Sequence, residues 1–174
     1  PKYSRDGKFV FFESDADLAL TGSTRTQIFQ YNMSTVPPRL TQLTFGTHDD
    51  SGAQFLDTDT LVFSSTAVNP AEPIDPEVAK NGQIYNLWTL SLKSGELRQY
   101  TDALAGNLSP VILHDGPASR IAFVTYFKGD YGLHVLERKD EITRVASADF
   151  GAPGPIVDFQ APLTHTLVAQ NVRK

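Results

Sequence analysis

Pro1-Lys2-Tyr3-Ser4-Arg5-Asp6-Gly7-Lys8-Phe9-Val10-Phe11-Phe12-Glu13-Ser14 decides the architecture, because its layout returns along the chain. A short aromatic-bearing strand, an Asp-Gly turn and a strand that is apolar on both faces spell one β-hairpin. Tyr3 and Phe11 stand eight residues apart, as do Phe55 and Phe63 across Asp57-Thr58-Asp59. A third copy runs from Ile112 to Phe123 around Asp115-Gly116, with a longer turn, and a fourth from Phe159 to Leu167 past Pro162. The copies begin at intervals of about 50, 55 and 45 residues, a period that belongs to stacked repeat units.

The second half of each unit repeats too. Gln27-Ile28-Phe29 matches Asn86-Leu87-Trp88 and, more loosely, Gly132-Leu133-His134. Each is followed by a polar or Pro/Gly-bearing turn and a closing strand: Arg39 to Thr44, Glu96 to Thr101, and Glu141 to Ala146. Four antiparallel strands per unit follow. The second strands are continuous apolar runs, as expected where both faces are covered, whereas the closing strands alternate, which suits an outer position. Buried inner strands and half-exposed outer ones are the arrangement of β-propeller blades. The alternative is a two-sheet sandwich, which does not require the whole unit to repeat. The sequence therefore predicts an all-β chain, a β-propeller section of about three and a half four-stranded antiparallel blades. Blade 1 covers about 1–50, blade 2 about 51–108, blade 3 about 109–154, and the first strands of blade 4 about 155–174. Phe11, Phe63 and Phe123 are expected to be buried at equivalent positions, and Gly7 to adopt positive φ. Three blades and a part do not close a ring, so the expectation is a piece of a longer polypeptide, or a ring completed by several chains.

Pro-x-Tyr-Ser-x-Asp-Gly-Lys at Pro1–Lys8, Gln27-Ile28-Phe29 at mid-unit and Gln42-Leu43-Thr44 at its end resemble the PD40 or TolB-like repeat of WD40-like propellers. The first unit carries the full motif. The second keeps its strands without the Asp-Gly turn, the third keeps Asp115-Gly116, and the fourth keeps only Pro162. The stretch from about Asn107 to Lys174 also resembles the end of propellers fused to Omp85-type outer-membrane barrels. These resemblances imply a non-catalytic scaffold for protein–protein interaction in the bacterial cell envelope, periplasmic or associated with the outer membrane. The other reading is the substrate-gating propeller of a larger serine peptidase, of prolyl-oligopeptidase or tricorn type, with its catalytic domain outside this chain. A self-contained hydrolase or carbohydrate-binding propeller needs carboxylates converging on the channel.

At 174 residues with 40% hydrophobic content and 11 Phe, the chain can bury a substantial core. No apolar run approaches the roughly 18 residues of a membrane-spanning helix. The absence of cysteine excludes disulfides, thiolate metal sites and a cysteine nucleophile. A net charge of −5 with scattered basic residues argues against nucleic acid. The expected partner is a protein or the remainder of a longer polypeptide.

Candidate chemistry is sparse. Asp15, Asp17, Asp49 and Asp50 offer oxygen ligands to a hard cation, but the calcium-loop pattern is absent and Asp is an ordinary turn residue. His48, His114, His134 and His165 lack metal-ligand spacing. No Gly-x-Ser-x-Gly elbow or phosphate loop occurs. Neither a catalytic set, a cofactor site nor a metal site is predicted. Two segments are candidates for partner binding. Ala67 to Gly82 is an insertion between the second and third strands of unit two, offering Glu72, Ile74, Asp75 and Glu77; Asp75-Pro76 and Gly82 outline a short helical turn there. Tyr126, Phe127 and Tyr131 flank Lys128-Gly129 in what reads as a loop between strands.

Overall fold

A computed structural model describes residues 1–16, 24–68, 84–114 and 119–141, and the backbone of 143–146. The described residues are all β, with no helix. The strands are β1 (Lys2–Tyr3), β2 (Phe9–Ser14), β3 (Gln27–Asn32), β4 (Arg39–Gln42), β5 (Asp50–Phe55), β6 (Thr60–Ser65), β7 (Asn86–Ser91), β8 (Glu96–Gln99), β9 (Asn107–His114), β10 (Ser119–Phe127), β11 (Asp130–Glu137) and β12 (Thr143–Ala146). They form three antiparallel sheets, ordered β1-β2-β3-β4, β12-β8-β7-β6-β5 and β11-β10-β9.

Side chains of directly paired residues share a face, so register assigns each sheet's two sides. In the second sheet Phe63 pairs with Trp88, and Leu61 with Leu90, which pairs in turn with Leu97. This face packs on Phe11 and Ile28 of the first sheet, where the Phe11 and Phe55 rings meet edge-on at 4.7 Å. The opposite face carries Val62 and Leu87, which pack with Tyr100 against Ile121 and Phe123 of the third sheet. The second sheet is thus the middle layer, covered on both sides, and its strand β7 is buried along nearly its whole length. Each buried Phe or Leu contributes about 1.5–3 kcal/mol relative to exposure.

Repetition extends to individual hydrogen bonds. The Ile28 N–H donates to Thr44 Oγ1 at 2.9 Å, and the Leu87 N–H donates to Thr101 Oγ1 at 2.8 Å. Gln42 Nε2 donates to the Thr44 carbonyl and Gln99 Nε2 to that of Thr101. The N–H of Leu43 reaches the Ile28 carbonyl, and that of Tyr100 the Leu87 carbonyl, both at 2.8 Å. Asp50 N–H bonds back to Thr26 and Asn107 N–H to Tyr85, tying each new unit to the one before. Gln-x-Thr is therefore a lock. It fastens the end of the closing strand to the start of the third strand, where the ladder itself stops.

Two expectations need correction. Phe11, Phe63 and Phe123 are all buried, but Phe11 is not the equivalent of the other two. Phe12 pairs with Phe29 as Phe63 pairs with Trp88 and Phe123 with His134. Phe11 corresponds to Val62, and it faces the following sheet. The hairpin turn accounts for the slip. Ser4 N–H bonds to the Phe9 carbonyl where Leu56 N–H bonds to that of Thr60, so the first turn holds one residue more. Gly7 at φ 68° accommodates that residue. A shift of one residue turns every side chain of a strand to the other side.

The second correction concerns the third unit, which has three strands. Its expected closing strand, β12, pairs instead with β8 of the second sheet, Thr143 opposite Gln99 and Val145 opposite Leu97. Glu141 to Ala146 contains no Gln-x-Thr, the lock of the first two units. Contacts before β12 direct the chain toward the second sheet. Tyr100 donates its hydroxyl proton to the Arg138 carbonyl at 2.8 Å, Arg138 pairs with Asp57, and Arg98 with Glu141. Burial opposes ionisation of Asp57, but the Asp59 N–H and the Arg138 guanidinium outweigh it and hold the carboxyl below its ordinary range.

Candidate functional site

The connections β2–β3, β6–β7 and β10–β11 leave the sheets at one common rim, which also holds the starts of β5 and β9. Backbone bonds link its parts: Thr66 N–H to the Asp49 carbonyl, and Tyr126 N–H to that of Gly106. Asp49 organises the first half of this rim. Its Oδ1 accepts from the Thr26 N–H at 2.8 Å and its Oδ2 pairs with Arg25 at 3.1 Å. Glu13 accepts from the Gly52 N–H at 2.7 Å. Burial, then the carboxylates of Asp49, Asp50 and Glu13, push the Tyr85 hydroxyl above its ordinary pKa.

Asp50 and Asn107 occupy the same place in successive units and differ in one group. Asn107 donates through Nδ2 to Asn86 Oδ1 at 3.2 Å and accepts from Thr125 Oγ1 at 2.8 Å. Asp50 has no amide to donate. Its two oxygens are buried without a hydrogen bond, as is Oε1 of Gln27, the counterpart of Asn86. His48 Nε2 lies 3.5 Å from Asp50 Oδ2. The pair borders a small pocket open to solvent between the first and second sheets, walled by Phe45, Phe63, Trp88 and Leu97. Two hydroxyls there accept backbone bonds: Ser65 Oγ from the Ala67 N–H, and Thr44 Oγ1 from the Ile28 N–H. The arrangement is a polar notch at the rim, with a His–carboxylate pair at its edge.

The aromatic candidates lie farther along the same rim, at the tip of a long hairpin. Tyr126, Phe127 and Tyr131 belong to strands β10 and β11, which correct the expected loop. Only Lys128 and Gly129 form the turn, at φ 51° and 91°, the left-handed pair that a two-residue hairpin requires. Tyr126 and Tyr131 pair across the strands with ring centroids 5.0 Å apart. Phe127 lies on the opposite side under Lys128 Nζ, 5.1 Å from the ring centroid. All three rings are exposed, Tyr131 to 73%.

Glu72, Ile74, Asp75 and Glu77, with the helical turn expected there, lie outside the described residues, as do Asp17 and His165. The strands on either side of that insertion, β6 and β7, end and start at the rim that holds the aromatic hairpin. Among the described residues no group of three or more His, Asp or Glu side chains converges as a metal site, and no helix is long and apolar enough to cross a membrane. Asp49 and Asp50, candidates for one cation site, are separated by role: Asp49 caps the rim backbone, and Asp50 turns into the pocket. Sequence reasoning missed the Asp50–His48 notch. The one available signal was the exchange of Asp50 for Asn107 at matching places in the repeat.

No family model matches the chain, and a search of the curated proteins finds no significant relative.

Proposed function

We propose that this chain is a section of a TolB-like β-propeller that serves as a non-catalytic scaffold for protein–protein interaction in the bacterial cell envelope. The observation that carries the reading is the aromatic hairpin tip. Three exposed rings at the end of a rigid two-stranded ribbon supply large contact area at small entropic cost, as interface anchors do. The repeated locks and the layered sheets support the propeller part, because each sheet is built to be covered by the next. A photo-crosslinking residue at Phe127, compared with one at Lys93 in the β7–β8 turn on the opposite rim, tests the reading in cells. A discrete envelope protein joined to position 127 and not to position 93 is the expected result. Equal, diffuse crosslinking at both sites overturns the binding role. Labelling of the protein in cells by a fluorophosphonate overturns the non-catalytic role and favours the peptidase-gating propeller.

A further inference from the structure

Leu133 is 76% exposed, while Ile28 and Leu87, at the same place in the two preceding sheets, are fully buried. Each of the three residues directly precedes the partner of an inner-strand Phe, so their equivalence rests on pairing rather than on alignment. Leu133 is not alone. Ala122 pairs with both Val111 and Val135, and Val124 pairs with both Leu108 and Leu133, so these six apolar side chains share one side of the third sheet. Val111 and Val135 are exposed as well. An exposed apolar sheet face of this kind marks a surface that something covers.

The two interfaces already formed indicate what that is. Phe11 and Ile28 are covered by the first hairpin of the following unit, through Phe55, Leu61 and Phe63. Val62 and Leu87 are covered in the same way, through Ile112, Ile121 and Phe123. The next stretch of sequence with the same eight-residue spacing as Phe55 to Phe63 is Phe159 to Leu167.

We propose that the outer face of the third sheet is the seat of the segment 155–174, with the Phe159–Leu167 stretch covering Leu133 and Val135. The proposal rests on the repeat register and not on the partner-binding reading. The aromatic tip stays available in it, because Tyr85, the counterpart of Tyr131, remains half-exposed although the third sheet covers Leu87.

The chain lacks cysteine, so introduced thiols report without background. In the whole chain, a Leu133→Cys thiol is expected to react with maleimide about tenfold or more slowly than one at Val36→Cys, a fully exposed turn position. The double variant Leu133→Cys/Phe159→Cys is expected to form a disulfide within one chain on mild oxidation. Reaction at the Val36→Cys rate overturns the proposal. So does protection that dilution removes, accompanied by disulfides between chains, which assigns the face to a second copy. If circular dichroism shows that Leu133→Cys fails to fold, Val135→Cys carries the same comparison. A negative crosslinking result at Phe127 leaves these outcomes unaffected, so the two readings fail separately.

Discussion

The second and third units are built to one plan and end differently. The second keeps four strands of its own and is covered on both sides; the third loses its last strand to its neighbour and exposes Leu133, where the second buries Leu87. The contrast shows that a strand run of suitable composition does not choose its own partner. Glu96 to Gln99 and Thr143 to Ala146 both form short strands, but only the first is followed two residues on by a threonine, Thr101, which accepts the Leu87 N–H near the start of the third strand. Short side-chain bonds beyond the ladder, and the cover of the next sheet, decide where each strand belongs.

Leu87→Ala breaks the comparison most sharply. The side chain is fully buried between the second and third sheets, so truncation is expected to cost about 2–5 kcal/mol, read from a denaturant midpoint at constant m-value. Leu133→Ala, at the equivalent but exposed place, costs little if that face faces water, and approaches the Leu87 value if a fourth hairpin covers it. A loss below about 1 kcal/mol for Leu87→Ala contradicts the middle-layer assignment.

Thr101→Val tests the lock. Valine keeps the shape but leaves the Leu87 N–H without its acceptor and removes a donor to Asn86. The expected loss is about 1–3 kcal/mol, with a similar loss for Thr44→Val at Ile28. If either variant unfolds at the parent midpoint, the Gln-x-Thr bonds are incidental to the closing strand.

Gly7→Val tests the turn that sets the first unit's register. An added Cβ meets no atom within 4 Å, so the cost is conformational rather than steric crowding. A β-branched residue at φ 68° is expected to lose about 1–2 kcal/mol. Unchanged stability shows that the hairpin adopts another turn, and with it another assignment of Phe11 and Phe12.

The strands, their antiparallel order within the first two units and the burial of Phe11, Phe63 and Phe123 were legible in the sequence, because apolar runs and turn residues are local signals. The facing of Phe11 was not. Eight-residue spacing is identical in the first two hairpins, and only hydrogen bonding reveals that one turn holds an extra residue. The transfer of β12 was illegible for a related reason: composition marks a strand, whereas its partner depends on contacts such as Tyr100 to Arg138, between residues far apart in sequence. Of the candidate site, the aromatic trio was visible as rings beside Lys128-Gly129. The Asp50 notch was hidden because aspartate at a strand start reads as turn chemistry.

Asp50→Asn is the smallest expected effect and the one with opposite sign. Burying a carboxylate without hydrogen-bond donors is unfavourable, and Asn107 shows how the same place is satisfied one unit later. An amide at position 50 can donate to Gln27 Oε1, as Asn107 Nδ2 donates to Asn86 Oδ1. The variant is expected to gain about 1 kcal/mol, raising Tm by about 2–4 °C for a chain of this size. A lower Tm instead makes the His48 pairing at 3.5 Å a net stabilising contact, and His48→Ala should then lower Tm as well. A gain, by contrast, means that the chain keeps an acid at this rim against its own stability, beside the pocket between the first two sheets. That trade is characteristic of residues retained for binding rather than for folding.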